Sequence, residues 1–364
     1  MPLPANLDAC TAALGRGERL SADEVRTLVE GVLAGGVDLD AFGRWLVALA
    51  DAGETAAEIT GVAAALRGRM LPLDHGLPAG TLVADTCGTG GDGSGSFNIS
   101  TAAAIVVAAA GQPVAKHGNR AVSSRTGSAD VLAELGVQTA APVAAAARCL
   151  REIGLCFCLA PAHHPAMARV GPLRRALGRP TVFNLVGPLC NPAGAGVQVI
   201  GVGRPTAREP IAEAARQLGA RRTLVVSGYL AAADGALSPR PFDELSLFGP
   251  TDVIDVSAAG VERYRWTAED FGLATQPPGR LADLEVAGPA ESAAAIRGVL
   301  AGEPGPRREV VVLNAAAVLY AAGHGATPAA ARDRAEEAID SGKAAAVLEG
   351  LARLSQDGLS KPRA

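Results

Sequence analysis

Aromatic residues are scarce: two Trp, three Tyr and seven Phe in 364 residues. The apolar share rests mostly on Ala, Val and Leu instead, which points to a chain dominated by helices. There is no block of Lys or Arg, and the formal net charge is −4, so a nucleic-acid partner is disfavoured. No long hydrophobic run exists either. Ala102–Gly111 is apolar but too short to span a bilayer, so no membrane partner is expected. The start, Met1-Pro-Leu-Pro-Ala, lacks a positive segment followed by an apolar stretch, which reads as a cytoplasmic chain without a signal peptide. Six cysteines are present, but none forms a C-x-x-C pair. Cys156 and Cys158 alternate along an apolar run and should pack on one buried strand face. His163-His164 has no second Cys/His pair at zinc-finger spacing.

What the chain has in plenty is glycine, and the densest stretch is Asp85-Thr-Cys-Gly-Thr-Gly-Gly-Asp-Gly-Ser-Gly-Ser-Phe-Asn-Ile-Ser-Thr101. Leu82 to Ala84 reads as a strand before it, and Ala102 to Ala110 as a helix after it. A strand, a glycine loop and a helix N-terminus form an anion site, because backbone N–H groups can approach a phosphate and the helix dipole favours negative charge. Ser100 and Thr101 are expected at the N-cap and in the first turn. No Gly-Lys-Ser/Thr follows, so the loop is not a P-loop, nor is it a clean G-x-G-x-x-G fingerprint. Asp92 is the odd member. A carboxylate among phosphate-binding amides needs a metal, a ribose hydroxyl or a loop amide to meet, and an Asx turn is the plain alternative.

The remaining sequence divides in two. Residues 1–72 read as about four short helices, with capping boxes at Ser21-Ala-Asp-Glu24 and Thr55-Ala-Ala-Glu58. They carry no chemical motif and are expected to serve packing or oligomerisation. Leu71 to Pro78 reads as a linker, with His75 exposed. Residues 80–364 alternate strands (82–84, 113–116, 155–159, 197–202, 223–226, 253–256) with helical runs. This is an α/β pattern with a mostly parallel central sheet, and Gly136 and Gly219 fall where helices should stop.

Three further constellations carry chemistry. Lys116-His-Gly-Asn-Arg-Ala-Val-Ser-Ser-Arg-Thr-Gly-Ser-Ala-Asp130 again runs from strand to polar loop to helix, with Ser128 as the expected N-cap. Two such loops at neighbouring strand ends would face one crevice. Arg174 and Arg175 lie on a short helix, where one could pair with a substrate carboxylate or both could be solvated. Phe242-Asp-Glu-Leu-Ser246 offers adjacent carboxylates that suit Mg²⁺ held together with substrate phosphates.

Taken in order, these segments resemble the anthranilate phosphoribosyltransferase family. The resemblance rests on Asp85–Asp92 with Phe97–Thr101, Lys116–Ser124 with Gly127–Leu132, His164-Pro-Ala-Met167 with Phe183–Pro188, and Asp243-Glu-Leu-Ser246. It covers nearly the whole chain. It implies a helical domain, joined by part of 165–190, beside a larger α/β domain with the active site in the cleft, and a homodimer formed through the helical domain. The reaction implied is transfer of phosphoribose from phosphoribosyl pyrophosphate (PRPP) to the amine of anthranilate in tryptophan biosynthesis. Carried over residue by residue, the PRPP set is Gly88, Gly91, Asp92, Ser96, Asn98, Ile99, Ser100, Thr101, Lys116, His117, Gly118, Asn119, Arg120, Ala121, Val122, Ser123, Ser124 and Ser128. Ser100, Asp243 and Glu244 would hold Mg²⁺, as two ions per subunit. Gly88, Asn119 and Arg174 would contact anthranilate, with His117 and His164 along its channel. No acid or base is implied, since an aryl amine is already neutral and nucleophilic.

The sequence departs from the family at Ser96, where Thr is common, and at Ser227, where His is frequent. It also departs at Tyr229–Pro241, which looks like an inserted loop. These departures keep other readings in view: a paralogue with a different aromatic acceptor, a pyrimidine-nucleoside phosphorylase, or a non-catalytic nucleic-acid-binding relative. Asp243-Glu244 and the Lys116–Asn119 loop oppose the phosphorylase, and Asp243-Glu244 with the net charge of −4 opposes the nucleic-acid-binding relative.

Overall fold

The computed structural model describes residues 7–121, 124–231, 236–239 and 241–356. Four helices open the chain: α1 (Leu7–Gly15), α2 (Ala22–Ala34), α3 (Leu39–Ala52) and α4 (Ala56–Gly68). Both expected capping boxes start their helices. The Ser21 and Thr55 hydroxyls accept from the backbone N–H of Glu24 and Glu58, whose carboxylates accept from the cap N–H in return. Gly35, at φ +90°, ends α2.

The larger part follows as β1 (Ala84–Gly88), α5 (Ile99–Ala109), β2 (Val114–Gly118), α6 (Ser128–Glu134), α7 (Val143–Ile153) and β3 (Leu155–Leu159). Three short helices come next: α8 (Ala160–His163), α9 (Gly171–Leu177) and α10 (Val182–Val186). Then come β4 (Val197–Gly201), α11 (Pro205–Gln217), β5 (Arg222–Gly228), β6 (Thr251–Ser257) and β7 (Gly260–Trp266). The chain closes with α12 (Pro289–Leu300), α13 (Pro306–Ala321), α14 (Pro328–Asp340) and α15 (Lys343–Ser355).

The strands make one sheet in the order β3-β2-β1-β4-β5-β6-β7. The first five run parallel, β6 pairs antiparallel with β5 and β7 antiparallel with β6, so the expected helical domain beside a mostly parallel α/β domain is what the chain forms. The order reverses between β1 and β4. That reversal opens a crevice beyond the carboxyl ends of those strands.

Strand alternation divides the core. On β4 and β5, Val199, Leu224 and Val226 face one apolar cluster, built around α5 and the buried helix α13. Their neighbours Ile200, Val202 and Val225 face a second, shared with α2, α3 and α4. Val170, Val182, Phe183, Leu185, Val186 and Leu189 join that second cluster, so the 170–190 segment packs with the opening helices.

Several local expectations shift. β1 runs through Asp85 and Thr86 to Gly88, later than the apolar run 82–84, because the two polar side chains are buried within the strand. The N-cap of α5 is Asn98, and that of α6 is Gly127, so Ser100, Thr101 and Ser128 lie inside their helices. Gly136 and Gly219 do sit at helix ends with positive φ, and Cys156 and Cys158 share a buried face with their sulfurs 3.9 Å apart. The 71–78 segment is docked: Leu71 N–H donates to His163 O, Leu73 N–H to Pro192 O, and His75 is half-buried. β7 was not expected. Its Glu262, Arg263 and Arg265 are exposed, which suits an edge strand guarded by charge and hides its apolar members from a pattern search.

Candidate active site

At the β1/β4 reversal, three loops meet. The first leaves β1 and reaches α5 through Gly90, Gly91, Gly93 and Gly95, all at positive φ (73°, 80°, 75° and 66°). Only glycine adopts that run of left-handed turns without strain. Among the described residues, the N–H groups of Gly91, Asp92, Gly93 and Gly95 find no acceptor. They are the donors an anion would use.

Carboxylates border this loop. Asp92 Oδ1 accepts from the Ser94 N–H and hydroxyl, both at 3.0 Å, so the plain Asx bracing is present. Its Oδ2 also accepts from the Asp243 N–H at 3.4 Å. Asp243 Oδ2 accepts from Gly90 N–H at 2.7 Å, and Glu244 Oε1 from Ser100 N–H at 3.1 Å, in the first turn of α5. The fit is close: a Cβ on Gly88 would collide with the Asp243 carboxyl, and one on Gly201 with the Asp243 backbone. Burial, then the charges of Asp92 and Glu244, push the Asp243 carboxyl well above its ordinary range. Burial also raises Glu244 to about 7. Burial holds both Asp243 and Glu244 toward the protonated form, and such an adjacent pair of carboxyls suits a hard divalent cation.

Beneath them, the buried Lys116 ammonium donates to Thr86 O at 2.7 Å and to Ser100 Oγ at 3.1 Å. It therefore sits under the loop, tied to it. Asp85, which sequence reasoning did not single out, is fully buried and raised to about 6 by desolvation. It accepts from Asn191 Nδ2 at 2.8 Å and from His117 N–H at 3.3 Å.

The second loop follows β2. Asp130 gathers it, accepting from the N–H groups of Ala121 (2.8 Å) and Gly127 (3.1 Å) and from Arg120 Nη1 (3.3 Å). Asn119 is exposed and bonds locally: its Oδ1 accepts from Arg120 N–H, and its backbone O accepts from Ala129 N–H and the Ser128 hydroxyl. Gly118 is required where the Ser128 hydroxyl approaches. Ser124 donates to Thr126 O, and Arg125 reaches Val286 O and Glu285, its guanidinium lying beside Gly95 of the first loop. Val122 and Ser123 lie outside the described residues. The Asn98 carboxamide links the two loops, accepting from Thr126 Oγ1 (3.0 Å) and Ser292 Oγ (2.8 Å). Ser96 accepts from the Ser94 hydroxyl, the Thr101 hydroxyl is buried without a partner among the described residues, and Ile99 is buried in the core.

The third group hangs on the 182–190 segment. Arg174, on α9, lays its guanidinium over the Phe183 ring at 5.4 Å. It has no acidic partner among the described residues, and burial lowers its pKa. His117 Nδ1 meets Gly187 O at 3.2 Å, and His164 Nε2 meets Cys190 O at 3.1 Å. A carbonyl partner requires an N–H, so the opposite nitrogens, His117 Nε2 and His164 Nδ1, carry lone pairs. Both are buried without a partner among the described residues, and the rings lie 5.3 Å apart. Burial lowers both pKa values, His117 to about 3, so both rings are neutral acceptors.

A helical bundle carried against an α/β sheet, with a glycine loop and carboxylates at the strand reversal, defines a glycosyl-transferase architecture. Two family descriptions match accordingly: a glycosyl transferase helical bundle domain over residues 9–70 and a glycosyl transferase a/b domain over residues 80–345. A protein of Methylobacterium nodulans named anthranilate phosphoribosyltransferase is 44% identical over 344 residues, 94% of this chain and 97% of its own. The crystal structure of the anthranilate phosphoribosyltransferase from Thermus thermophilus superposes with a TM-score of 0.83 at 41% identity, covering 95% of this chain and 99% of that one. The Saccharomyces cerevisiae enzyme, solved in complex with PRPP and Mg, gives a TM-score of 0.83 at 26% identity over 97% and 98% of the two chains. It has also been solved with 4-fluoroanthranilate. The chain belongs to the anthranilate phosphoribosyltransferase family.

Proposed function

We propose that this chain transfers phosphoribose from PRPP to the amine of anthranilate, giving N-(5-phosphoribosyl)anthranilate and pyrophosphate for tryptophan biosynthesis. The observation that carries the reading is the meeting, at one strand reversal, of a glycine loop with unclaimed amides and a carboxylate triplet. The half-buried, acid-free Arg174 supports the acceptor assignment.

In this reading the N–H groups of Gly91, Asp92, Gly93 and Gly95 and the first turn of α5 hold the PRPP phosphates, while Lys116 supplies positive charge from below. Asp243 and Glu244, with Asp92 and Ser100 beside them, would hold Mg²⁺, two ions being the expectation. Bound there, the metal would supply charge that offsets the departing pyrophosphate. Arg174 pairs with the anthranilate carboxylate, and Phe183 supports the guanidinium. His117 Nε2 and His164 Nδ1 accept from the amine without protonating it, because both rings stay neutral. The amine nitrogen attacks ribose C1, the bond to pyrophosphate breaks, and the lost amine proton leaves with solvent or pyrophosphate. Positioning and electrostatics do the rest of the work.

The reading extends to a homodimer assembled through the helical domain and to a cytoplasmic enzyme. A groove between α3 and α9, lined by Gly43, Val47, Ala48, Leu173 and Leu177 together with Asp40, Arg44 and Asp51, is compatible with that assembly. Fluorescence-monitored loss of anthranilate in the presence of PRPP and Mg²⁺ tests the function. Release of thymine from thymidine and phosphate, with anthranilate untouched, would replace it with the phosphorylase reading.

A further inference from the structure

A half-buried guanidinium normally keeps a carboxylate beside it, since burial without one leaves desolvated charge unbalanced. Most half-buried arginines here obey: Arg204 faces Glu54, Arg208 faces Asp252, Arg222 faces Asp255 and Arg332 faces Glu336. Arg174 and Arg67 face no acid among the described residues, and burial lowers the pKa of both. Arg174 has its reason in the acceptor reading above. Arg67, at the end of α4, has none yet.

Arg67 lines a cavity of about 430 Å³ at the amino ends of β1, β4 and β5, the end of the sheet opposite the catalytic loops. Its Nε donates to Leu189 O at 2.6 Å and its Nη1 to Leu218 O at 3.1 Å. Those carbonyls fix the guanidinium plane but leave its charge uncompensated, and Nη2 has no partner among the described residues. None of the residues lining the cavity is acidic. Arg221 adds a second cation on the wall, and His75 a third donor: its Nδ1 accepts from Leu77 N–H at 3.1 Å, which places the ring hydrogen on Nε2. Met70, Leu82 and Leu218 supply apolar wall.

We propose that this cavity is a second anion site, taking a small organic anion whose phosphate or carboxylate head pairs with Arg67 while its body lies against Leu82 and Leu218. The site joins α4, the 71–78 segment and the sheet. Arg67 also holds Leu189, one residue before the Cys190 carbonyl that fixes His164, so an occupant would brace the frame of the acceptor pocket.

Isothermal titration calorimetry tests this on the full chain saturated with PRPP and Mg²⁺, using inorganic phosphate and butyrate as separate probes. PRPP binding is read first in the same cell. Its absence would fault the functional reading alone, and the anion titrations then run on the unliganded chain. A saturable phosphate or butyrate isotherm is expected, and the probe that gives it identifies the head group. Losing one charge-assisted pair should weaken it about tenfold or more in Arg67→Gln, and less in Arg221→Gln. Arg174→Ala should leave it unchanged. Should Arg67→Gln fail to fold, the exposed Arg221→Gln decides. No saturable isotherm with either probe, or an isotherm that both variants leave unaltered, would overturn the proposal.

Discussion

The two polar loops begin alike, each running from a parallel strand into a helix, yet they spend their donors differently. The loop after β1 leaves four N–H groups unclaimed and is bordered by carboxyls that crowd one another. The loop after β2 gives two of its N–H groups and the Arg120 guanidinium to Asp130, while the N–H groups of Ser124, Arg125 and Thr126 find no acceptor among the described residues. One loop is built to be completed by a ligand and a cation. The other is a wall braced by Asp130 and tied to the first through the Asn98–Thr126 link. What separates the two is the acid beside each: crowded carboxyls border the first, whereas Asp130 is bonded into the second.

Substitutions can break this contrast, the largest effects falling on the first loop. Asp243→Ala with Glu244→Ala removes two of its three carboxyls. A loss of roughly a thousandfold in kcat/KM is expected, with the Mg²⁺ dependence flattened in initial-rate titrations. Arg174→Ala leaves the loop intact and should raise the anthranilate KM about 30-fold or more, with PRPP binding unchanged by calorimetry. Gly201→Ala drives a methyl into the Asp243 backbone and should cost about 1–3 kcal/mol in urea unfolding. Asp130→Ala should cost about 1–2 kcal/mol of stability while moving kcat little, because it strips bracing from the wall. The mildest probe is pH. Glu244 is raised in the folded chain from 4.5 to about 7, so the folded state binds the extra proton across that window. Stability of the metal-free chain should therefore fall as pH rises from about 4.5 to about 7, and thermal melts with Mg²⁺ present should show a shallower fall.

Sequence alone conveyed the architecture, because capping boxes, glycine stops and strand–helix alternation are local signals. It also marked Asp243-Glu244, a conspicuous pair in an otherwise uncharged stretch. It missed what distance assembles. Asp85 and Asn191 are 106 residues apart, and Ser100 and Glu244 are 144 apart, so neither pairing leaves a spacing to read. Asn98 looked like a ligand contact by position, but its carboxamide is consumed in tying two loops and α12 together. The unpartnered nitrogens of His117 and His164 became visible only once their opposite nitrogens were seen to meet carbonyls.

The claim that the first loop is completed by substrate and metal is tested most directly by one assay. Anthranilate fluorescence is followed with PRPP while Mg²⁺ is titrated, for the natural chain and for Asp243→Ala/Glu244→Ala side by side. The account predicts saturable, Mg²⁺-dependent loss of anthranilate in the natural chain and near-background rates in the variant at every concentration. Equal Mg²⁺ curves for the two chains, or no loss of anthranilate from either, would contradict it.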